Sequence, residues 1–406
     1  MNDRSHTGAA RPAPRAASLA IRARALLGAI ALGISSFGGA GVIGLAGGIA
    51  LPLPAAARTL DCGKFEFPHC QGEDHQFDRK FKGREAYGGF GGGDCKATRT
   101  PVVFIHGNGD AAIGWDSDIT AAVPGYAKAP RSVYDELRAR GYNECELWGI
   151  SYLSKDERDA PQSNFHGPDS YRTILAFINA VQKNTGARQV DVVAHSLGVS
   201  MTLAALTWSD ERSKRDKAWG DVRRFINIAG GLRGLGACKQ AGPANPMVTT
   251  CGSQNLLDRS VFGFYPDGFG LARNRWTGDG ADSLRRMPQA HAGVAFYTIH
   301  AGDDDQIHCD ASSKGSQTAP CRQGALFAAA PNVRAQLDIG APSSDKAAEL
   351  DFKDKTVQAK HGGDAGGVGH FKARNNAGAI IWQMLNTECR GIACKGGYAY
   401  GPVKAD

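Results

Sequence analysis

The chain has 406 residues, of which 42% are hydrophobic and 21% charged, proportions that fit a soluble globular protein with a sizeable core. No internal repeat or heptad run is present, which excludes repeat and coiled-coil architectures. The net charge is +7, but no stripe of Lys and Arg is interleaved with aromatic residues, so a nucleic-acid partner is not predicted.

The first 57 residues have the three parts of an export signal. Five Arg and one Asp occupy residues 1–24, a stretch rich in small apolar residues follows to about residue 50, and Ala55–Ala57 offers a small-residue cleavage site. A transmembrane anchor is the alternative, but Gly and Ser dilute the apolar run, so no stable anchor is expected. Without an Arg-Arg pair, a twin-arginine route is not indicated.

Cleavage after Ala57 would leave 42 basic and 39 acidic residues, a net charge of +3. Such a small excess does not define a partner. We therefore expect a secreted, extracellular protein, with the periplasm as the alternative, and one catalytic domain over residues 58–406.

Ten cysteines all follow the predicted cleavage point, and an even number in an exported chain predicts disulfides. Four pairs are close enough in sequence to close a loop, although connectivity does not follow from sequence: 62/70, 238/251, 309/321 and 389/394. No Cys-x-x-Cys pair exists, so a zinc site is not expected.

Beyond Thr100, short apolar runs alternate with helical patterns, which predicts a mostly parallel sheet covered by helices. The predicted elements in chain order are strand 101–105, helix 132–140, strand 146–150, helix 169–185, strand 190–194, helix 199–208, strands 224–229 and 294–300, and helix 377–385.

Residues 230–290 lack this alternation and read as an insertion, which in such a sheet lies over the face where active sites form. Its aromatic residues either face a substrate or pack the core of the insertion itself: Phe262, Phe264, Tyr265, Phe269 and Trp276. No Ser/Thr/Pro-rich linker is visible, so a separate binding module is not predicted.

The most specific motif is Ala194–Gly198, which reads Ala-His-Ser-Leu-Gly and lies between a predicted strand and a predicted helix. It matches the nucleophile elbow Gly-x-Ser-x-Gly, with Ala194 replacing the first glycine. We therefore predict that Ser196 is the nucleophile of a serine hydrolase.

A serine hydroxyl needs a histidine as its base and a carboxylate that orients the histidine. After a nucleophile elbow these residues follow the serine in the chain, first the acid and then the histidine. His370 is the predicted base, because it lies in a Gly-rich loop just before the last helix; His361, beside two glycines, is the alternative. The acid is predicted in the turn after strand 294–300, at Asp305, with Asp304 as the alternative. These adjacent carboxylates lack the alternate spacing of a calcium loop, and no metal or cofactor is expected.

The oxyanion hole requires two backbone N–H groups directed at the developing negative charge. Leu197, the residue after the nucleophile, is predicted to supply one. Asn108, in the His-Gly-Asn-Gly turn after strand 101–105, is predicted to supply the other, because glycines there let the backbone approach the substrate.

Three segments together carry a resemblance: residues 101–110 (Pro-Val-Val-Phe-Ile-His-Gly-Asn-Gly-Asp), the Ala-His-Ser-x-Gly elbow, and the Gly-x-Gly-His-Phe segment ending at Phe371. The chain resembles the secreted poly(3-hydroxybutyrate) depolymerases that attack amorphous polymer, which are similar to small bacterial lipases. The resemblance runs from about Thr100 to the last helix.

The resemblance implies an α/β-hydrolase fold in one domain, without a linker or a polymer-binding module. It implies a triad of Ser196, His370 and an Asp of the 303–305 turn, with Asn108 and Leu197 at the oxyanion hole. The substrate would be a polyester or a lipid-like ester, and a monomer is expected. A triacylglycerol lipase or carboxylesterase with the same triad is the alternative, and a non-catalytic binding protein is a third class.

Overall fold

The computed structural model describes residues 60–61, 66–67, 88–92, 95–116, 125–212, 217–236, 238–266, 273–301, 324–340 and 370–406. The chain divides into two units, residues 1–55 and 56–406, and all of the described residues belong to the second. Within these described ranges, no helix has both the length and the apolarity needed to cross a membrane.

A sheet of eight strands forms the centre of the second unit, in the order β10-β9-β8-β7-β6-β4-β5-β3. The six central strands are parallel, and β3 and β10 pair antiparallel at the two edges. The strands are β3 Gly89–Phe90, β4 Val102–Ile105, β5 Leu147–Ile150, β6 Val190–His195, β7 Val222–Ile228, β8 Ala295–His300, β9 Val333–Asp338 and β10 Lys404–Ala405. A separate antiparallel pair joins β1 Leu60–Asp61 to β2 Glu66–Phe67.

Eight α-helices are described, most of them in the connections between strands. They are α1 Val133–Ala139, α2 Lys155–Asp159, α3 Pro168–Thr185, α4 Leu197–Arg212, α5 Cys238–Ala241, α6 Met287–Ala290, α7 His370–Asn375 and α8 Gly378–Asn386. Local chemistry sets several of the ends. The Ser132 side chain caps α1 by accepting from the Asp135 N–H, and Gly186 ends α3 with φ of 72°, a conformation that glycine adopts without strain.

Both faces of the sheet are buried, because successive side chains of a strand point to opposite faces. In β4, Val103 and Ile105 join one hydrophobic cluster and Val102 and Phe104 the other. Helices α3 and α4 contribute to the first cluster, and α1 and α8 to the second. This three-layer arrangement confirms the predicted α/β-hydrolase fold.

Each element predicted from the sequence is present, with ends shifted by a few residues. Strand β9, however, was not predicted. Its sequence, Val-Arg-Ala-Gln-Leu-Asp, mixes polar residues into a half-buried strand close to the sheet edge, so it lacks the continuous apolar run of a central strand.

The described residues of the insertion at 230–290 form short helical turns, the helices α5 and α6, and an isolated antiparallel bridge between Phe262 and His166. Four of its five aromatic residues are buried within the first hydrophobic cluster: Phe262, Phe264, Tyr265 and Trp276. They therefore pack into the main core together with α3 and α4, and neither face a substrate nor form a separate core of the insertion. Phe269 lies outside the described residues.

Three disulfides are described. Cys238–Cys251 and Cys389–Cys394 are two of the pairs suggested by sequence proximity. Cys95–Cys145 joins residues 50 positions apart and ties the segment before β4 to the start of β5, a pairing that proximity in sequence did not suggest. The other four cysteines lie outside the described residues.

Candidate active site

Ser196 stands between the end of β6 and the start of α4, at the carboxyl edge of the parallel sheet. Its φ is 54°, in the left-handed region that a non-glycine residue rarely adopts. The Ser196 N–H donates to the Ile228 carbonyl at 2.9 Å, which fixes this strained turn to the end of β7. The local geometry is that of a nucleophile elbow.

Glycine at position 198 lets α4 come close to the end of β4. A Cβ atom at Gly198 would lie 2.3 Å from the carbonyl oxygen of His106 and 2.9 Å from that of Ile105. Any side chain there would force helix and strand apart. Ala194, where the elbow pattern has its other glycine, is fully buried in the sheet.

The turn after β4 lies directly against the elbow. A Cβ atom at Gly107 would lie 2.9 Å from the Ser196 Cβ. The side chain of the next residue, Asn108, is held away from the elbow: its Nδ2 donates to the Pro161 carbonyl at 2.8 Å, and its Oδ1 accepts from Asn164 at 2.6 Å. Only the Asn108 backbone is thus left to act in an oxyanion hole. Leu197 begins α4, where an N–H has no partner within the helix.

His370 is the first residue of α7 and is 4% exposed. Its ring centroid lies 4.4 Å from that of His195, the neighbour of Ser196 in the chain. The structure therefore brings together four of the predicted site residues, Ser196, Leu197, Asn108 and His370. Asp305 and Asp304, as well as His361, lie outside the described residues.

Two other histidines are buried near the site. His106 stacks on Tyr152, and its Nε2 accepts from the Tyr152 N–H. The Nε2 of His166 lies 2.7 Å from the Ser200 hydroxyl in α4, and its ring stacks on Phe262. Burial lowers the pKa of both His106 and His166 to about 3, so both are neutral at pH 7.

A buried ion pair joins the turn after β4 to α7. Arg374 donates to the Asp110 carboxylate, and the two side chains are 0% and 1% exposed. Asp110 was part of the motif singled out in the sequence, but its partner was not recognised. Only the fold brings these two residues together across 264 positions.

One group of side chains in the described part of the chain has metal-ligand geometry. Donor atoms of His300, Asp338 and Asp406 lie within 4.8 Å of one another. Each carboxylate already has a partner, because His300 Nε2 lies 2.5 Å from Asp406 Oδ2 and Lys404 Nζ lies 2.8 Å from Asp338 Oδ2. With the Lys404 ammonium bound to Asp338 and His300 hydrogen-bonded to Asp406, the group is better described as a polar network than as a metal site.

The mostly parallel sheet with helices on both faces, together with the strained elbow at Ser196, defines an α/β hydrolase. A family model described as lipase (class 2) matches residues 99–331, and the chain belongs to this family. The matched region includes Ser196, Leu197 and Asn108, whereas His370 lies beyond it.

Solved structures show only distant similarity. Aspergillus fumigatus lipase B is 14% identical, with 74% of this chain and 55% of that chain covered and a TM-score of 0.40. A Bacillus licheniformis lipase in its propeptide form is 14% identical, with 53% of this chain and 39% of that chain covered and a TM-score of 0.31. A Legionella pneumophila phospholipase is 15% identical, with 55% of this chain and 43% of that chain covered and a TM-score of 0.32. The chain thus spans less than two thirds of each protein, and none of them bears on its substrate.

Proposed function

We propose that this protein is a secreted depolymerase of poly(3-hydroxybutyrate)-type polyester, which cleaves ester bonds through Ser196, His370 and Asp305. The observation that carries the catalytic part is the strained Ser196, with φ of 54°, together with the buried His370, whose ring contacts that of His195, the residue before Ser196. A serine held in this conformation between strand and helix has its hydroxyl presented at the top of the sheet.

In the proposed reaction, His370 accepts the proton of the Ser196 hydroxyl as its oxygen attacks the ester carbonyl. The N–H groups of Leu197 and Asn108 stabilise the negative oxygen of the tetrahedral intermediate. His370 then protonates the departing alcohol, which leaves an acyl group on Ser196. A water molecule, deprotonated by His370, hydrolyses this acyl-enzyme and restores the serine.

The surface of the insertion supports a water-insoluble ester as the substrate. Leu256 and Leu257 are 87% and 99% exposed. Hydrogen bonds hold their loop: the Leu257 N–H donates to Asn255 Oδ1 at 2.8 Å, and the Asn255 N–H donates to the Val261 carbonyl at 2.8 Å. Two leucines fixed in solvent by an ordered loop favour contact with an apolar surface.

Polyester is favoured over other insoluble esters by the resemblance of residues 101–110, the elbow and the Gly-His-Phe segment to the amorphous-polymer depolymerases. Membership of the class 2 lipase family favours the second candidate, a lipase that acts on acylglycerols with the same residues. Secretion is supported by the three disulfides and by the pattern of residues 1–57.

The two candidates are separated by their substrates. The purified protein should clear a turbid suspension of amorphous poly(3-hydroxybutyrate) granules and release little fatty acid from an emulsified long-chain triglyceride. Ser196→Ala should be inactive on both, with an unchanged circular dichroism spectrum. Activity on the emulsion alone would favour the lipase, and an active Ser196→Ala variant would exclude the proposed nucleophile.

Secretion has its own test. The extracellular protein should begin near Arg58 and contain no titratable thiol. Intact residues 1–57 on the extracellular protein would contradict cleavage at this site.

A further inference from the structure

His195 lies between the turn after β4 and the start of α7, and no step of the proposed reaction uses its side chain. It is the last residue of β6, directly before Ser196, and it is fully buried. Its Nε2 lies 3.1 Å from the backbone carbonyl oxygen of His370, and the two rings are in contact.

The other edge of the His195 ring faces the turn that carries Asn108. A Cβ atom at Gly107 would lie 2.9 Å from His195 Nδ1. The ring therefore fills the space between the turn after β4 and the start of α7. A glycine at 107 is what allows an aromatic ring to occupy this position.

The hydrogen bond fixes the tautomer of His195. A carbonyl oxygen can only accept, so Nε2 carries the proton and donates it to His370. Burial, reinforced by the nearby His370, Arg374 and His106, lowers the pKa of His195 well below its ordinary value. The ring is therefore neutral, and Nδ1 is a bare acceptor that has no hydrogen-bond partner among the described residues.

We propose that His195 is a positioning residue, whose Nε2–H bond to the His370 carbonyl sets the distance between the general base and the adjoining nucleophile. The proposal rests on the role of His370 in the proposed function. Ser196 follows His195 directly in the chain. This one hydrogen bond therefore connects the residue next to the nucleophile with the backbone of the general base. An error of about 1 Å in such a distance can cost about 100-fold in rate.

Two amide variants isolate the hydrogen bond from the volume of the ring. The Nε2 of Gln reaches the position of the histidine Nε2, whereas the shorter Asn does not. For hydrolysis of p-nitrophenyl butyrate, His195→Asn should lower kcat by about 10- to 100-fold with KM changed less than about threefold. His195→Gln should stay within about fivefold of the wild-type kcat. His195→Phe, which keeps the ring shape without a donor, should resemble His195→Asn.

A double variant tests whether the effect passes through His370. Groups that act as a unit in catalysis have non-additive effects. In a His370→Ala background, His195→Asn should therefore change the residual rate by less than about twofold. The proposal would be overturned if His195→Asn lowered the rate equally in the wild type and in His370→Ala. It would also be overturned if His195→Gln and His195→Asn lowered kcat equally. Wild-type kcat in His195→Asn would also overturn it.

These outcomes are distinct from a failure of the proposed function, which would appear as full activity of His370→Ala itself. Urea unfolding of each variant shows whether it is folded at the assay temperature. If His195→Phe does not fold, the comparison between Gln and Asn still decides the question.

Discussion

Arg374 and Asp110 form a buried ion pair that connects the α7 helix, which begins at the candidate base, to the turn that carries the candidate oxyanion donor. The Arg374 guanidinium also lies 5.7 Å from the ring centroid of Trp115 and 5.6 Å from that of Phe371. The pair therefore holds two separate parts of the site in one arrangement.

Removal of either partner should be strongly destabilising, because it leaves an uncompensated charge in the interior. We expect Asp110→Ala and Arg374→Ala each to lower the free energy of unfolding by about 3–5 kcal/mol. Lys155→Ala, which breaks the exposed Lys155–Asp159 pair, should cost at most about 1 kcal/mol. Urea unfolding measures all three, and a loss below about 1 kcal/mol for Asp110→Ala would contradict a structural role for the pair.

Gly198→Ala should distort the elbow, since its new methyl group would lie 2.3 Å from the His106 carbonyl oxygen. We expect the free energy of unfolding to fall by about 1–3 kcal/mol and most of the esterase activity to be lost. Gly293→Ala is the matched control, because nothing lies within 4 Å of its Cβ position, and it should leave both properties unchanged. Normal activity in Gly198→Ala would show that α4 can retreat without disturbing Ser196.

His370→Ala should reduce hydrolysis by a factor of about 1,000 or more, because the serine would lose its base. The comparison variant is His361→Ala, which should retain activity within a few-fold. Steady-state kinetics on a soluble ester give both values. The reverse result, an inactive His361→Ala and an active His370→Ala, would assign the base to the other loop.

Asp305→Asn should reduce kcat by about 10⁴-fold, because an amide does not stabilise the imidazolium that forms during the reaction. Asp304→Asn, one residue earlier, should have a small effect. Similar small losses in both variants would mean that the carboxylate of the triad comes from another part of the chain.

Stability should fall in mild acid because His166 is buried and neutral. Its pKa is lowered from the ordinary 6.5 to about 3, so below pH 6.5 the unfolded chain binds a proton that the folded chain does not. This difference destabilises the fold as pH falls, and it disappears above pH 6.5.

His166→Gln should remove this contribution. Between pH 6.5 and pH 5, the wild type should lose between about 1 and 2 kcal/mol more stability than the variant, as measured by urea unfolding. Equal pH slopes for the two proteins would mean that the pKa of His166 is the same in the folded and unfolded chains, which would contradict its lowering by burial.

The sequence by itself determined the strand–elbow–helix unit around Ser196, because apolar runs, a small-residue turn and a helical pattern are all local signals. It also indicated the turn of Asn108 and the position of His370 before the last helix. Strand β9 was missed, since its half-buried pattern resembles an exposed segment and its pairing with β8 is non-local.

Only the tertiary structure decided which distant residues meet at the site. The Asp110–Arg374 pair joins positions 264 residues apart, and the His195–His370 contact joins positions 175 apart. The burial of Phe262 and Trp276, and the exposure of Leu256 and Leu257, also depend on how the insertion packs against α3 and α4. Contacts of this kind depend on the order of strands in the sheet. They also depend on the close approach of the elbow and α4 to the end of β4 and the turn after it, which Gly107 and Gly198 allow. No local pattern of residues encodes either feature.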